Sequence, residues 1–256
     1  MNIKNYKRIP METLVNARDL GGYPASGGKM TKYGLIIRSD CPIGISENDK
    51  KLLRDYGITL SIDLRGGDEA EAQPSGLKGL DWHTYRHLPI IKPDNSPHRI
   101  IEGERPAAPR EGNFDLGDSY IDIVETAKLW VKQVFELCAA WEEGLMFHCF
   151  IGKDRAGIIA ALLLGACGVC DTDIMMDYGA SMSCLRPKFN QMNTDFIPKK
   201  RGRPDYSWGF FGSVPESMEA LLFHLREKYG GVTEYLKNCG VIEDSIIKLK
   251  TKLLED

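Results

Sequence analysis

The ten residues His148-Cys149-Phe150-Ile151-Gly152-Lys153-Asp154-Arg155-Ala156-Gly157 bring together a thiol, a carboxyl, an imidazole, two cations and two glycines. A phosphate monoester is doubly charged. A site that cleaves it has to offer backbone amides, a fixed cation, a nucleophile and a proton for the departing alkoxide. Five residues separate Cys149 from Arg155, enough for the main chain to curl around a tetrahedral anion. Arg155 then returns to the rim with a two-pronged guanidinium that lysine cannot supply. Gly152 relieves the curl where a side chain would intrude, and Phe150, Ile151, Lys153, Ala156 and Gly157 complete the cradle. A helix opening near Arg155 aims its free amides and positive end at the anion. That field also favours the thiolate, since electropositive sites bring a thiol from about 8.5 to roughly 3.5–7.5. Cys149 is therefore the expected nucleophile, with His148 as a candidate helper. The expected course is in-line attack on phosphorus, a cysteinyl-phosphate, and its hydrolysis by water while Arg155 follows the equatorial charge. Neither a metal nor another cofactor is called for.

The elements that hold this segment follow from hydrophobic periodicity. Leu145-Met146-Phe147 reads as a short buried strand, and Ala156 to Gly168, apolar on nearly all sides, as a central buried helix; the loop joins the two. Gly34 to Ser39 and Gly57 to Leu64 read as further buried strands. Between them Ser46 caps a short helix that carries Leu52, Leu53 and Tyr56 and stops at Gly57. From Leu116 to Gly144 apolar residues recur at three and four, which predicts one long amphipathic helix. Pro89 to Gly117 is dense in Pro, Gly and charge and reads as a long surface loop. The remainder is helical except for a polar interruption from 185 to 212, a possible lid or basic loop; Pro215 opens one of these helices, and Ile242, Ile246, Leu249 and Leu253 stripe another. The expectation is one α/β domain over residues 1–256, a central sheet flanked by helices with a helical C-terminal half.

Composition narrows the function classes. With 33 Lys plus Arg against 36 Asp plus Glu, the net charge of -3 argues against a general affinity for nucleic acid. The first residues hold no apolar core of signal-peptide length and no apolar run reaches a membrane span, so the expected setting is the cytoplasm, with any export by a signal-independent route. Seven cysteines, an odd number spread along the chain, suit a reducing compartment. Cys167-Gly168-Val169-Cys170 has redox spacing but closes an apolar helix instead of opening one, so these thiols read as structural. His83 and His87 lie four apart in an extended segment, a poor metal site. Gly22 to Lys29 lacks the glycine spacing of a nucleotide loop. The basic run Pro198 to Pro204 reads either as a solvated loop or as a lid that gathers anionic headgroups or phosphopeptides.

HCFIGKDRAG resembles the signature of the cysteine-dependent protein tyrosine phosphatases: Cys, five residues, Arg, then a helix. It is most similar to the bacterial tyrosine and phosphoinositide phosphatases whose loop reads HCxxGKDRTG. The N-terminal motifs of that group are matched by Asn16-Ala17-Arg18-Asp19-Leu20-Gly21-Gly22-Tyr23, Arg38-Ser39 and Ile62-Asp63-Leu64-Arg65, in order. The resemblance implies phosphorylated protein or phosphoinositide substrates, with Lys153 tied to the latter, and makes Asp154 the general acid. Asp63, Asp115 and Asp118 are the alternates, because the Trp-Pro-Asp triplet of the animal enzymes is missing. Arg18, Arg38 and Arg65 either line the pocket or form structural ion pairs. One departure stands out. Ala156 replaces the usual Thr or Ser, whose hydroxyl is implied to stabilise the leaving thiolate as the phosphoenzyme is hydrolysed. A phosphate-binding module with impaired catalysis is thus the main alternative, ahead of a sulfurtransferase or arsenate reductase. Oligomeric state is not legible.

Overall fold

The computed structural model describes residues 6–90, 116–189 and 212–255, together with the backbone of 199–200 and 203–204. A five-stranded sheet runs β1 (Arg18–Asp19), β3 (Ile36–Ser39), β6 (Gly144–His148), β4 (Ile58–Asp63), β5 (Thr84–His87) in spatial order. β1 lies antiparallel to β3, and the other pairs are parallel, with β6 central. Both faces of the sheet are covered, and alternation sorts the side chains between them. Ile36, Leu60, Ile62, Leu145 and Phe147 join the large helical core, while Ile37 and Met146 join the smaller one. Ile58 also falls on the smaller side, because the register with β6 slips between Ile58 and Leu60.

The smaller core is covered by α1 (Glu47–Tyr56). Ser46 accepts from the Asp49 amide at its start, and Gly57, left-handed at φ 84°, ends it where a side chain would be strained. On the other face α5 (Asp154–Ala166) is apolar all round and is enclosed by α3 (Leu116–Thr126), α4 (Lys128–Ala140), α6 (Asp171–Phe189), α7 (Pro215–Tyr229), α8 (Val232–Asn238) and α9 (Glu243–Leu253). A short ribbon of β2 (Met30–Thr31) and β9 (Leu254–Glu255) ties the C-terminal helix back to the N-terminal segment. α2 (Gly67–Ala72) follows β4 directly.

Two expectations need correction. The single helix from Leu116 to Gly144 is broken at Ala127, whose ψ is 36°. Tyr235 donates its hydroxyl to the Val124 carbonyl at 2.7 Å, the acceptor that Lys128 would need for an unbroken helix. The apolar stripe survives the break, which is why periodicity alone does not show it. The interruption expected from 185 is also shorter, since α6 continues to Phe189. Within the basic run, β7 (Lys199–Lys200) and β8 (Arg203–Pro204) pair antiparallel, while the rest of 190–211 and most of the loop from Pro89 lie outside the described residues. Among the described residues no helix is long and apolar enough to cross a membrane.

Candidate active site

The loop leaves the C-terminal end of β6 and enters α5 at Asp154, at the middle of the sheet. Its carbonyls are tied to groups outside it. The Phe150 carbonyl accepts from the Cys41 amide at 3.1 Å and the Ile151 carbonyl from Asn16 Nδ2 at 2.8 Å. Arg38 Nη2 donates to the Gly152 and Lys153 carbonyls at 2.8 and 3.0 Å. A trans peptide points its carbonyl and the following amide in opposite directions. With four successive carbonyls drawn outward, the amides of Ile151, Gly152, Lys153 and Asp154 turn into the ring, which is the lining an anion needs. Gly152 is left-handed at φ 69°, and a Cβ there would lie 2.4 Å from the Ser39 carbonyl, so loop and β3 meet without room for a side chain. Phe150 and Ile151 pack against Leu185 and Phe189 of α6. Their side chains anchor the ring while their main chain lines it.

Cys149 is 1% exposed, at the end of β6. Arg155 is 4% exposed and held by Glu69: Nη1 and Nη2 donate to the two carboxylate oxygens at 2.6 and 3.0 Å. Among the described residues, Arg155 Nε is buried without a partner. Such a donor is costly unless a ligand takes it up. Arg38 Nε is likewise unpaired, but Arg38 lies wholly buried behind the loop, with its other nitrogens on Asp177 and the loop carbonyls. Burial opposes the charge on Arg155, but the Glu69 bonds outweigh it and hold the guanidinium protonated.

Asp154 is 6% exposed; its Oδ1 accepts from the Tyr120 hydroxyl and lies 3.3 Å from Lys153 Nζ. Lys153 is fully buried, and its Nζ also donates to the Gly212 carbonyl at 2.7 Å. Ala156 packs into the core, and Gly157 lets Tyr178 approach to 3.1 Å of where a Cβ would stand.

Three sequence expectations land elsewhere. Arg65 turns away from the loop: all three guanidinium nitrogens are bonded, to the Asp63 carboxylate and to the Glu69 and Gln73 carbonyls, with the side chain buried. Asp63 also accepts from the Tyr85 hydroxyl at 2.8 Å. Burial alone would raise its carboxyl, but the Arg65 bonds more than offset that and hold it well below the usual carboxylate range, so it is an anion and not a proton reserve. His148 cannot assist Cys149 as a cation, because burial pushes its imidazole down to about 4. Of the other alternates, Asp118 is exposed on α3 and Asp115 lies outside the described residues. Arg18 and Arg38 act as braces. Both meet Asp177 of α6, and Tyr23 donates to the same carboxylate.

The sequence pattern of the tyrosine phosphatase family matches residues 9–255. The chain belongs to the tyrosine phosphatase family. Among its relatives, a tyrosine-protein phosphatase of Nostoc commune is 31% identical over 221 residues, covering 82% of this chain and 70% of the relative. A triple specificity protein phosphatase of Mycobacterium tuberculosis is 25% identical over 253 residues, covering 86% and 91%. The chain is thus a phosphatase. What sequence reasoning missed in it are Glu69, Tyr120 and Asp177, together with the bond that Asn16 of the N-terminal motif makes to the loop. Only Glu69 left a local trace: an acid four residues beyond Arg65, in the first turn of α2, where Oε2 accepts from the Gly66 amide at 2.9 Å.

Proposed function

We propose that this phosphatase hydrolyses phosphotyrosine in proteins through a cysteinyl-phosphate on Cys149. The observation that carries the reading is that four successive loop carbonyls are tied to groups outside the loop, which by peptide geometry turns the following amides inward, together with a buried Arg155 Nε that has no partner among the described residues. In this reading three phosphoryl oxygens take the ring amides and Arg155, phosphorus sits in line with the Cys149 sulfur, and Asp154 protonates the leaving phenolate. Water then attacks the cysteinyl-phosphate and Asp154 takes the proton from it, so the thiolate leaves and the enzyme is restored. The ring at the amino end of α5 stabilises that thiolate through oriented dipoles.

Phosphotyrosine ranks ahead of phosphoinositides because Lys153, the cation tied to inositol lipids by resemblance, is buried on Gly212 and Asp154 and does not project from the rim. A cytoplasmic setting suits seven free thiols.

The test is phosphate release from phosphotyrosine peptides, phosphoserine peptides and phosphoinositides in the presence of a chelator. Turnover that is lost in Cys149→Ser, with the variant still binding vanadate, is expected. Turnover retained by Cys149→Ser overturns the nucleophile. A folded wild type that binds vanadate and turns over no substrate replaces the reading with a phosphate-binding module, the role that Ala156 would suit.

A further inference from the structure

The carboxyl of Asp154 is approached unequally at its two oxygens. The Tyr120 hydroxyl and the Lys153 ammonium both converge on Oδ1. Behind Tyr120, the Tyr178 hydroxyl lies 2.7 Å away, with the rings edge to face at 5.8 Å and 80°. A phenol has one proton to donate. If Tyr120 gives it to Asp154, Tyr178 must give its own to Tyr120, and the three groups form a directed chain: Tyr178 to Tyr120 to Asp154. Burial first, and the Asp154 charge second, raise both phenols well above their ordinary value, so they remain donors across the working pH range. Both tyrosines are fully buried, on α3 and α6, so the chain is fixed by the helical core and not by the loop.

We propose that Tyr120, backed by Tyr178, is a positioning residue for the general acid, occupying Oδ1 of Asp154 together with Lys153 so that the transferable proton is held on Oδ2. The proposal rests on the reading of Asp154 as the acid. An ammonium can only donate, so Oδ1 stays an acceptor in both protonation states. The charged and titratable groups facing this carboxyl are Lys153 and Arg155 of the loop, Tyr120 of α3 and Tyr178 of α6; Cys149 faces the two cations, and Arg38 of β3 faces Tyr178. Removing the phenol takes a donor away from the carboxylate and leaves the acid less well aimed.

The experiment compares the pH dependence of kcat/KM for wild type, Tyr120→Phe, Tyr178→Phe and Asp154→Asn, using p-nitrophenyl phosphate and a phosphotyrosine peptide. Asp154 has to be protonated to act, so it sets the alkaline limb. In Tyr120→Phe that limb should move up by about one pH unit, the size of a hydrogen bond to a charged group. The peptide, whose leaving group needs the proton, should lose roughly tenfold more than p-nitrophenyl phosphate, whose leaving group does not. Tyr178→Phe should shift the limb the same way by less, and it decides alone if Tyr120→Phe fails to fold by near-ultraviolet circular dichroism. A limb at its wild-type position in the folded tyrosine variants, while Asp154→Asn erases it, overturns the proposal and leaves the acid in place. A wild-type limb in Asp154→Asn overturns both.

Discussion

Two strand ends lie side by side at the middle of the sheet, and each is followed by an arginine with a carboxylate partner. β4 and β6 finish in register at Asp63 and His148. After β4, Arg65 folds back on Asp63, and all its nitrogens are bonded within the turn. After β6, seven residues on from His148, Arg155 takes Glu69 with two nitrogens and leaves Nε unpaired. Glu69 serves both turns, giving its carbonyl to Arg65 and its carboxylate to Arg155. The same chemistry is closed on one side and open on the other. A satisfied arginine holds structure, and an arginine held in place with a donor left over is ready for an anion.

The closed side should dominate stability. Asp63→Ala leaves the Arg65 charge buried and unpaired, and removing one partner of such a pair costs about 3–5 kcal/mol. Urea unfolding should show that loss, with the alkaline limb of kcat/KM still present in whatever fraction folds; disappearance of the limb would return Asp63 to the list of acids. The open side should dominate activity. Arg155→Lys keeps a charge near Glu69 but loses the fork, and kcat/KM should fall about 10²–10³-fold with unfolding free energy close to wild type, by analogy with loss of one oxyanion donor. Arg65→Lys should do the reverse, and equal activity losses in the two lysine variants would dissolve the distinction.

These contrasts also mark how far the sequence was legible. The Cys149 loop could be read because its chemistry is local: ten consecutive residues contain thiol, acid, fork and glycine, and the flanking strand and helix are apolar enough to place. The sheet strands and the caps at Ser46 and Gly57 are likewise short-range signals. What braces the ring is not. Asn16 reaches Ile151 across 135 residues and Glu69 reaches Arg155 across 86, and no spacing rule connects positions that only the folded sheet brings together. Arg65 was ambiguous for the same reason, since an arginine after a strand looks alike in sequence whether its fork is closed or open. The break at Ala127 depends on a hydroxyl that reaches the Val124 carbonyl from 111 residues further on.

His148 lies at the seam between the two turns, fully buried with its Nδ1 3.7 Å from Asp63. Its folded value of about 4 is below the roughly 6.5 of a free imidazole. Below pH 6.5 the unfolded chain therefore binds a proton that the folded chain refuses, so stability falls on acidification from about 6.5 toward 4 and is flat above. At about 1.4 kcal/mol per pH unit the loss reaches roughly 3 kcal/mol. Asp63 adds its own loss only lower, as pH falls below the ordinary carboxylate value near 3.9, because its folded carboxyl is depressed. Urea midpoints at pH 7, 5.5 and 4.5 test the upper window; His148→Leu should flatten it, and a constant wild-type midpoint would contradict the assignment.

Glu69→Gln sharpens the comparison at its shared residue. The amide keeps a carbonyl for one bond to Arg155 but no longer matches the fork, while the main-chain bond to Arg65 is untouched. A loss of about tenfold in kcat/KM is expected, near the low end for a charged hydrogen bond, with a fall in urea midpoint smaller than that of Asp63→Ala because the amide oxygen keeps one bond to the buried Arg155. A destabilised variant of wild-type activity would mean that Glu69 serves only the closed turn.

The open side lacks one donor that its relatives are implied to have. Ala156 follows the fork, is fully buried in the helical core, and in the proposed mechanism offers nothing to the thiolate that departs when the cysteinyl-phosphate is hydrolysed. The first chemical step does not need that hydroxyl and the second does, so wild type should show a burst of leaving-group release followed by slower turnover. Ala156→Ser adds a single oxygen, a smaller intrusion on the packing than threonine. It should speed the second step by about tenfold, again near the low end for a hydrogen bond to a charged group, and so reduce the burst without altering its rate. A wild type with no burst would place the slow step before hydrolysis. In that case the inward-turned amides of the ring already stabilise the thiolate without help from position 156.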